Sequence, residues 1–319
     1  MTIVVTTRRL PRAVEAELDR RFTVRRIDGE FTPPRAAVIE ACRGAEVLFN
    51  TAGDPMPAEM VAELPASIRM VASYGAAVEL MDLKALAARG IEVSNTPGAV
   101  TDDTADIAFG LIIAACRRFS EADRLVRSGT WKGVTVTGMM GRKVSGKTLG
   151  IVGMGRIGSA VARRAQGFGM TVLYHNRKPS PEAEPVKARY CTRLDDLLAE
   201  SDIVVLCCPM TQETHHLIDA AAFGRMKRSA VIVNVARGAV IDEAALIKAL
   251  ADGTIAAAGL DVYEFEPRIE QALLDLPNTF LLPHLGTATE EGRVAMGMRA
   301  IENIEAFLKT GQAQDRVTP

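Results

Sequence analysis

A short apolar run, Leu149-Gly150-Ile151-Val152, stops at Gly153, Gly155 and Gly158, spaced G-x-G-x-x-G, and Ser159-Ala160-Val161-Ala162-Arg163-Arg164 then reads as a helix. No other stretch restricts the fold as tightly. A strand that turns on glycine straight into a helix uses the first glycine for the turn and the second to let backbone approach a ligand. The third lets the helix lie close on its strand. The helix N-terminus then offers free N–H groups to an anion. A second strand-like run, Met170-Thr171-Val172-Leu173-Tyr174, stands at the distance a βαβ unit requires. The spacing predicts a dinucleotide site, with the pyrophosphate against Gly153, Gly155, Arg156, Ile157 and Gly158. A βαβ unit that binds nothing is the alternative reading of the same glycines.

At 319 residues the chain suits two domains rather than one core. Its 38 basic and 39 acidic residues nearly cancel, so charge points to neither nucleic acid nor an anionic membrane. No apolar run reaches the roughly 18 residues of a membrane span. Met1-Thr2-Ile3-Val4-Val5 enters a strand-like run with no basic leader, so we expect no targeting segment and a cytoplasmic protein. The five cysteines are odd in number and lack C-x-x-C spacing, which suits buried thiols in a reducing cytosol better than disulfides or a metal.

The N-terminal third alternates apolar runs with amphipathic segments. Strands are predicted at 3–6, 22–26, 47–49, 68–72 and 91–93, and helices at 11–20, 34–42, 57–64 and 81–88. That alternation predicts a parallel sheet covered by helices. Ser94-Asn95-Thr96-Pro97-Gly98 is dense in turn formers and marks the expected crossing between domains. Residues 101–127 then read as one long helix, apolar nearly all round over 107–115, as in a helix buried on more than one side. In 128–148, Trp131, Val134, Val136, Met139 and Met140 are more apolar than a solvated loop needs, which suits contact with a partner subunit.

The second domain shows strands at 149–152, 170–174, 202–206, 230–234, 256–260 and 279–282. Doubly wound sheets bind ligands beyond the carboxyl ends of their strands. There the sequence places the glycines, then His175-Asn176-Arg177-Lys178, Cys208-Pro209-Met210-Thr211, Val235-Ala236-Arg237-Gly238, Asp261 with Glu266 beyond it, and Pro283-His284-Leu285-Gly286. A guanidinium, a carboxylate and an imidazole therefore share the ligand edge. The planar fork of Arg237 suits a carboxylate held by two hydrogen bonds, though a surface cation would read the same. Glu266 alone is equally a solvated loop acid. Of four histidines, His175 belongs to the cofactor turn. His215 and His216 are adjacent, so on a helix they share no face and make no metal pair. His284 is left as the natural general acid near neutral pH.

Asn95-Thr96-Pro97-Gly98, the Gly153 to Gly158 loop, Asn234-Val235-Ala236-Arg237-Gly238, Gly259-Leu260-Asp261-Val262-Tyr263-Glu264-Phe265-Glu266-Pro267 and Pro283-His284-Leu285-Gly286 together resemble the D-isomer-specific 2-hydroxyacid dehydrogenases, from end to end. Within that family the chain looks most like the glyoxylate/hydroxypyruvate reductases, some of which reduce 2-ketogluconate. The resemblance implies two Rossmann-like α/β domains of doubly wound parallel sheet with an active-site cleft between them. Residues 1–98 with 287–319 would form a flavodoxin-like substrate domain, and 99–286 the NAD(P)-binding domain. It implies that Arg237 binds the 2-oxo acid, that His284 protonates its oxygen as the cofactor delivers hydride, and that Glu266 orients His284. Tyr74, Gly75, Ala76 and Ala77 would hold the substrate carboxylate through backbone N–H groups. Ala77 departs from the family, which usually has glycine there, and a left-handed backbone would cost alanine on the order of 1 kcal/mol. Thr104, Cys208, Pro209, Thr214, Val235, Ala236, Arg237, Asp261, His284 and Gly286 would complete the cofactor site, and a homodimer through 101–148 fits the family.

NAD-specific sites carry an acid about 20 residues past the glycines, to bind the ribose 2′-hydroxyl. Here the second strand runs into Asn176, Arg177 and Lys178 instead, which predicts a preference for NADPH over NADH. Alternatives are a phosphoglycerate dehydrogenase-like enzyme of the same family, or a dinucleotide-sensing protein without turnover on the same fold.

Overall fold

The structure, a computed structural model, describes every residue from Met1 to Pro319 and divides into two compact units. The first comprises Met1–Val100 with Ala288–Pro319, and the second Thr101–Thr287.

In the first unit the chain runs β1 (Ile3–Thr6), α1 (Arg12–Arg21), β2 (Thr23–Arg26), α2 (Arg35–Ala41), β3 (Val47–Thr51), α3 (Ala58–Glu63), β4 (Met70–Tyr74), α4 (Leu83–Ala88) and β5 (Glu92–Ser94). The five strands are parallel, in the order β2-β1-β3-β4-β5. Side chains alternate across each strand, so adjacent residues feed different cores. Val5, Leu48 and Val71 pack with Val38, Met60 and Leu86 of α2, α3 and α4. Val4, Val47, Phe49 and Met70 pack on the other face with Val14 and Leu18 of α1.

The second unit contains α5 (Thr101–Cys116), α6 (Phe119–Arg127), β6 (Thr148–Val152), α7 (Arg156–Gly167), β7 (Thr171–His175), β8 (Arg189–Tyr190), α8 (Leu194–Glu200), β9 (Ile203–Leu206), α9 (Ala220–Arg225), β10 (Val231–Asn234), α10 (Glu243–Ala251), β11 (Ala257–Leu260), α11 (Gln271–Leu274) and β12 (Thr279–Leu281). Its strands are parallel in the order β12-β11-β10-β9-β6-β7-β8, so the winding reverses between β6 and β9. One face is covered by α5 and α7 and the other by α8, α9 and α10. The chain then returns to the first unit as α12 (Glu290–Thr310), which packs on β4 and α1. Gly297 sits against the Val14 side chain, where a Cβ would stand 2.3 Å from it, so the α1–α12 approach depends on glycine.

Two expectations change. The helix read over 101–127 is broken: Arg118 takes a left-handed backbone, φ 57°, and the chain restarts as α6. A continuous helix would use the Cys116 carbonyl for its own next turn. Here that carbonyl accepts the Arg142 N–H at 2.7 Å, so returning chain caps α5. The sheet also gains a two-residue edge strand, β8, which the sequence does not announce because Arg189 and Tyr190 make no apolar run.

Candidate active site

The glycine loop follows β6 at the point where the sheet order reverses. Gly153 has φ 103°, and a Cβ there would lie 2.5 Å from the Cys208 amide nitrogen, so only glycine lets β6 pass this close to the chain beyond β9. A Cβ on Gly158 would stand 2.2 Å from the Gly153 carbonyl oxygen. Gly155 differs: its missing Cβ faces open space. As N-cap of α7 it offers no side chain to the first-turn N–H groups, which are left for an anion. This cradle fits the pyrophosphate of a dinucleotide.

Asn176, at the end of β7, folds into the same loop. Its Oδ1 accepts the Met154 N–H at 2.7 Å and its Nδ2 donates to the Met154 carbonyl at 3.4 Å, so the side chain braces the glycine turn. Arg177 and Lys178 beside it are exposed. Thr214 Oγ1 donates to the Pro209 carbonyl at 2.7 Å and shapes the segment after Cys208. In the first unit, Gly75 is the glycine its loop requires, with φ 148° and the Ala52 side chain 2.6 Å from where a Cβ would be. Ala77 does not have a positive φ, so alanine carries no left-handed strain there.

At the carboxyl ends of β10, β11 and β12 the structure brings Arg237, Glu266 and His284 together. The buried Asn234 ties the turn that carries Arg237: its Oδ1 accepts from the Ala236 N–H at 3.0 Å and its Nδ2 donates to the Arg237 carbonyl at 2.9 Å. Glu266 Oε1 accepts the Tyr263 N–H at 2.9 Å, while Oε2 lies 2.8 Å from His284 Nδ1. An ionised carboxylate only accepts, so Nδ1 carries the proton of this bond and Nε2 is left to face a reactant. His284 itself has a left-handed backbone, φ 55°. It is held there by Asp261, whose carbonyl accepts the His284 N–H at 3.0 Å and whose carboxylate accepts from Leu285 at 2.6 Å and Gly286 at 2.8 Å. Thr104 Oγ1 donates to the Gly286 carbonyl at 2.9 Å. Asn234, Asp261 and the Tyr263 amide thus position the three groups. Sequence reasoning gives Asn234 and Tyr263 no role, and Asp261 only a cofactor contact.

The electrostatics follow from these contacts. The hydrogen bond to Glu266 raises the His284 pKa above its ordinary value, against partial burial and the nearby positive charge of Arg237. Burial pushes Glu266 up, but its bonds to His284 and Tyr263 and the charges of His284 and Arg237 outweigh that, so its pKa is lowered. The pair therefore favours imidazolium beside carboxylate. His284 keeps 47% of its side-chain surface exposed and Glu266 33%, so the ion pair is partly screened.

Residues 109–286, more than half of the chain, match the family described as D-isomer specific 2-hydroxyacid dehydrogenase, NAD binding domain. The chain belongs to the D-isomer-specific 2-hydroxyacid dehydrogenase family. As a family member it is an NAD(P)-dependent D-2-hydroxyacid dehydrogenase, built on two parallel-sheet α/β units. It is 44% identical to a glyoxylate reductase from Korarchaeum cryptofilum over 95% of this chain and 92% of that one. It is 41% identical to glyoxylate/hydroxypyruvate reductase B from Erwinia tasmaniensis, covering 99% of this chain and 98% of that relative. Among solved structures it resembles an NADPH-dependent glyoxylate/hydroxypyruvate reductase from Sinorhizobium meliloti in complex with NADP and malonate. There the TM-score is 0.88 and the identity 33%, over 99% of this chain and 96% of the other. No helix of this dehydrogenase is long and apolar enough to cross a membrane.

One premise about its histidines does not hold. His215 and His216 lie on a turn, not a helix, and their rings stack with centroids 4.0 Å apart.

Proposed function

We propose that this dehydrogenase reduces small 2-oxo acids, glyoxylate and hydroxypyruvate first and 2-ketogluconate as a further candidate, to D-2-hydroxy acids, with NADPH preferred over NADH. The observation that carries the reading is the 2.8 Å contact between His284 Nδ1 and Glu266, which raises the imidazole pKa and leaves Nε2 to donate. Bound nicotinamide cofactor supplies the hydride. His284 Nε2 gives the proton to the carbonyl oxygen as negative charge develops there, and Glu266 stabilises the imidazolium until it does. Arg237 binds the substrate carboxylate and polarises the carbonyl. Backbone N–H groups of Tyr74, Gly75, Ala76 and Ala77 hold the same carboxylate. Gly153 to Gly158 take the pyrophosphate, and Thr104, Asn176, Cys208, Pro209, Thr214, Val235, Ala236, Asp261 and Gly286 line the rest of the cofactor site.

The NADPH preference rests on Arg177 and Lys178, two exposed cations where an NAD-specific site carries an acid. The Sinorhizobium meliloti relative, described as NADPH-dependent, is consistent with it. A homodimer through 101–148 rests on Trp131, Val134, Val136 and Met140, all exposed large apolar side chains in one segment. The five cysteines are all free, which suits the cytoplasm.

The test is loss of NADPH absorbance with glyoxylate, hydroxypyruvate and 2-ketogluconate, repeated with NADH. Turnover with at least one of these acids, faster with NADPH, is expected. Silence with every 2-oxo acid while cofactor still binds would overturn the reading in favour of a sensor.

A further inference from the structure

Apart from the Glu266–His284 pair, a second cluster of titratable groups forms where the turn after β9 meets the loop after β11. We propose that His215, His216 and Glu264 bind one divalent transition-metal ion of the zinc class. Neighbouring side chains on a helix or a strand diverge, but these two imidazoles do not. His216 takes a left-handed backbone, φ 50°, with its N–H on the Ala239 carbonyl at 2.8 Å, while the His215 N–H donates to the Thr211 carbonyl at 3.0 Å. The rings consequently stack 4.0 Å apart at 30°, presenting their nitrogens together. Glu264 completes the group, its Oε1 2.7 Å from His216 Nε2. One ligand atom from each of the three lies within 4.8 Å of the other two.

The carboxylate is oriented from behind. Glu264 Oε2 accepts the Glu243 N–H at 3.2 Å, and the Glu264 N–H returns a bond to Glu243 Oε2 at 3.1 Å. Such outer partners are what fix a ligating carboxylate in a metal site. Two imidazoles and one carboxylate suit zinc, nickel or copper, whereas magnesium and calcium prefer oxygen ligands throughout. With zinc–ligand bonds of about 2.0–2.2 Å, the ion replaces the proton now shared by His216 and Glu264, and the exposed His215 rotates in. Water takes the fourth position. A bound ion ties the 211–216 turn to the loop that carries Glu266.

The experiment titrates chelator-treated, dialysed full-length protein with Zn²⁺ by calorimetry at pH 7.5, and with Co²⁺ followed by visible absorption. One equivalent is expected, with the intense d–d bands of a four-coordinate ion. His215→Ala is the decisive variant, since this side chain is exposed, and circular dichroism is the check that its fold persists. It should weaken Zn²⁺ binding roughly tenfold or more, and Glu264→Gln should do the same. Undiminished binding in His215→Ala overturns the proposal, because an ion held by Cys207 or by the Glu266–His284 pair would survive that change. No binding to the wild type overturns it as well.

Discussion

Gly238 lies so close to Tyr263 that a Cβ at position 238 would stand 1.8 Å from the Tyr263 carbonyl carbon. The turn that carries Arg237 and the loop that carries Glu266 are therefore in backbone contact. Gly238→Ala must push them apart, at a cost of about 1–3 kcal/mol for an overpacked contact. Thermal unfolding should show the lost stability, and kcat/KM should fall with it, since Arg237 and Glu266 move relative to each other. Wild-type values in both measurements would contradict that coupling.

His284 is best tested by a residue that tolerates its left-handed backbone, φ 55°, and asparagine does so better than alanine. His284→Asn should lower kcat for reduction by about 10²–10⁴-fold, the usual contribution of general acid catalysis. Cofactor affinity, read by NADPH fluorescence, should change little. Near-normal turnover would remove His284 as the acid.

The pH profile carries a sign. Reduction needs His284 protonated, and its pKa is raised chiefly by the hydrogen bond to Glu266, so activity persists to higher pH than an unpaired histidine allows. Glu266→Gln removes the charge that holds the proton, so the alkaline limb of kcat/KM for reduction should move to lower pH. For stability, the raised His284 pKa contributes fully below its ordinary value of 6.5 and is lost as pH rises through the folded value. The lowered Glu266 pKa contributes above its ordinary value of 4.5 and is lost as pH falls through the folded value. The melting-temperature gap between wild type and Glu266→Gln should thus be widest between those two limits.

Gly155 and Gly158 separate binding from folding. A Cβ on Gly155, whose φ is −102°, meets open space, so Gly155→Ala should melt like wild type yet raise KM for the cofactor by filling the cradle. Gly158→Ala should cost about 1–3 kcal/mol, because its Cβ meets the Gly153 carbonyl at 2.2 Å. A Gly155→Ala enzyme with unchanged cofactor KM would place the pyrophosphate elsewhere.

For cofactor choice, Arg177→Ala should lower the ratio of kcat/KM for NADPH over NADH by roughly tenfold or more, the worth of one charged hydrogen bond to a phosphate. The ratio for wild type and variant, taken on one substrate, decides it.

Much of the fold was legible because parallel strands are buried on both faces and read as plain apolar runs. Ile203–Leu206 of β9 and Val231–Asn234 of β10 show the pattern, with every residue of both strands buried. The break after Cys116 was not legible, since it depends on Arg142 taking a carbonyl from far along the chain. The stacking of His215 on His216 was hidden for a similar reason, because the left-handed backbone at His216 answers to Ala239 rather than to its neighbours.

In the site, the residue types and their place beyond the strands could be read, and the structure does bring Glu266 onto His284. What holds them there could not be read. The bracing by Asn234, the closeness of Gly238 to Tyr263 and the grip of Asp261 on residues 284–286 all involve backbone atoms whose meeting no local pattern records.

Nearly half of the His284 side chain stays open to solvent even while Nδ1 is engaged. Bulk water can therefore return a proton to the ring directly once cofactor and product have left, a route that asks for no internal relay of side chains.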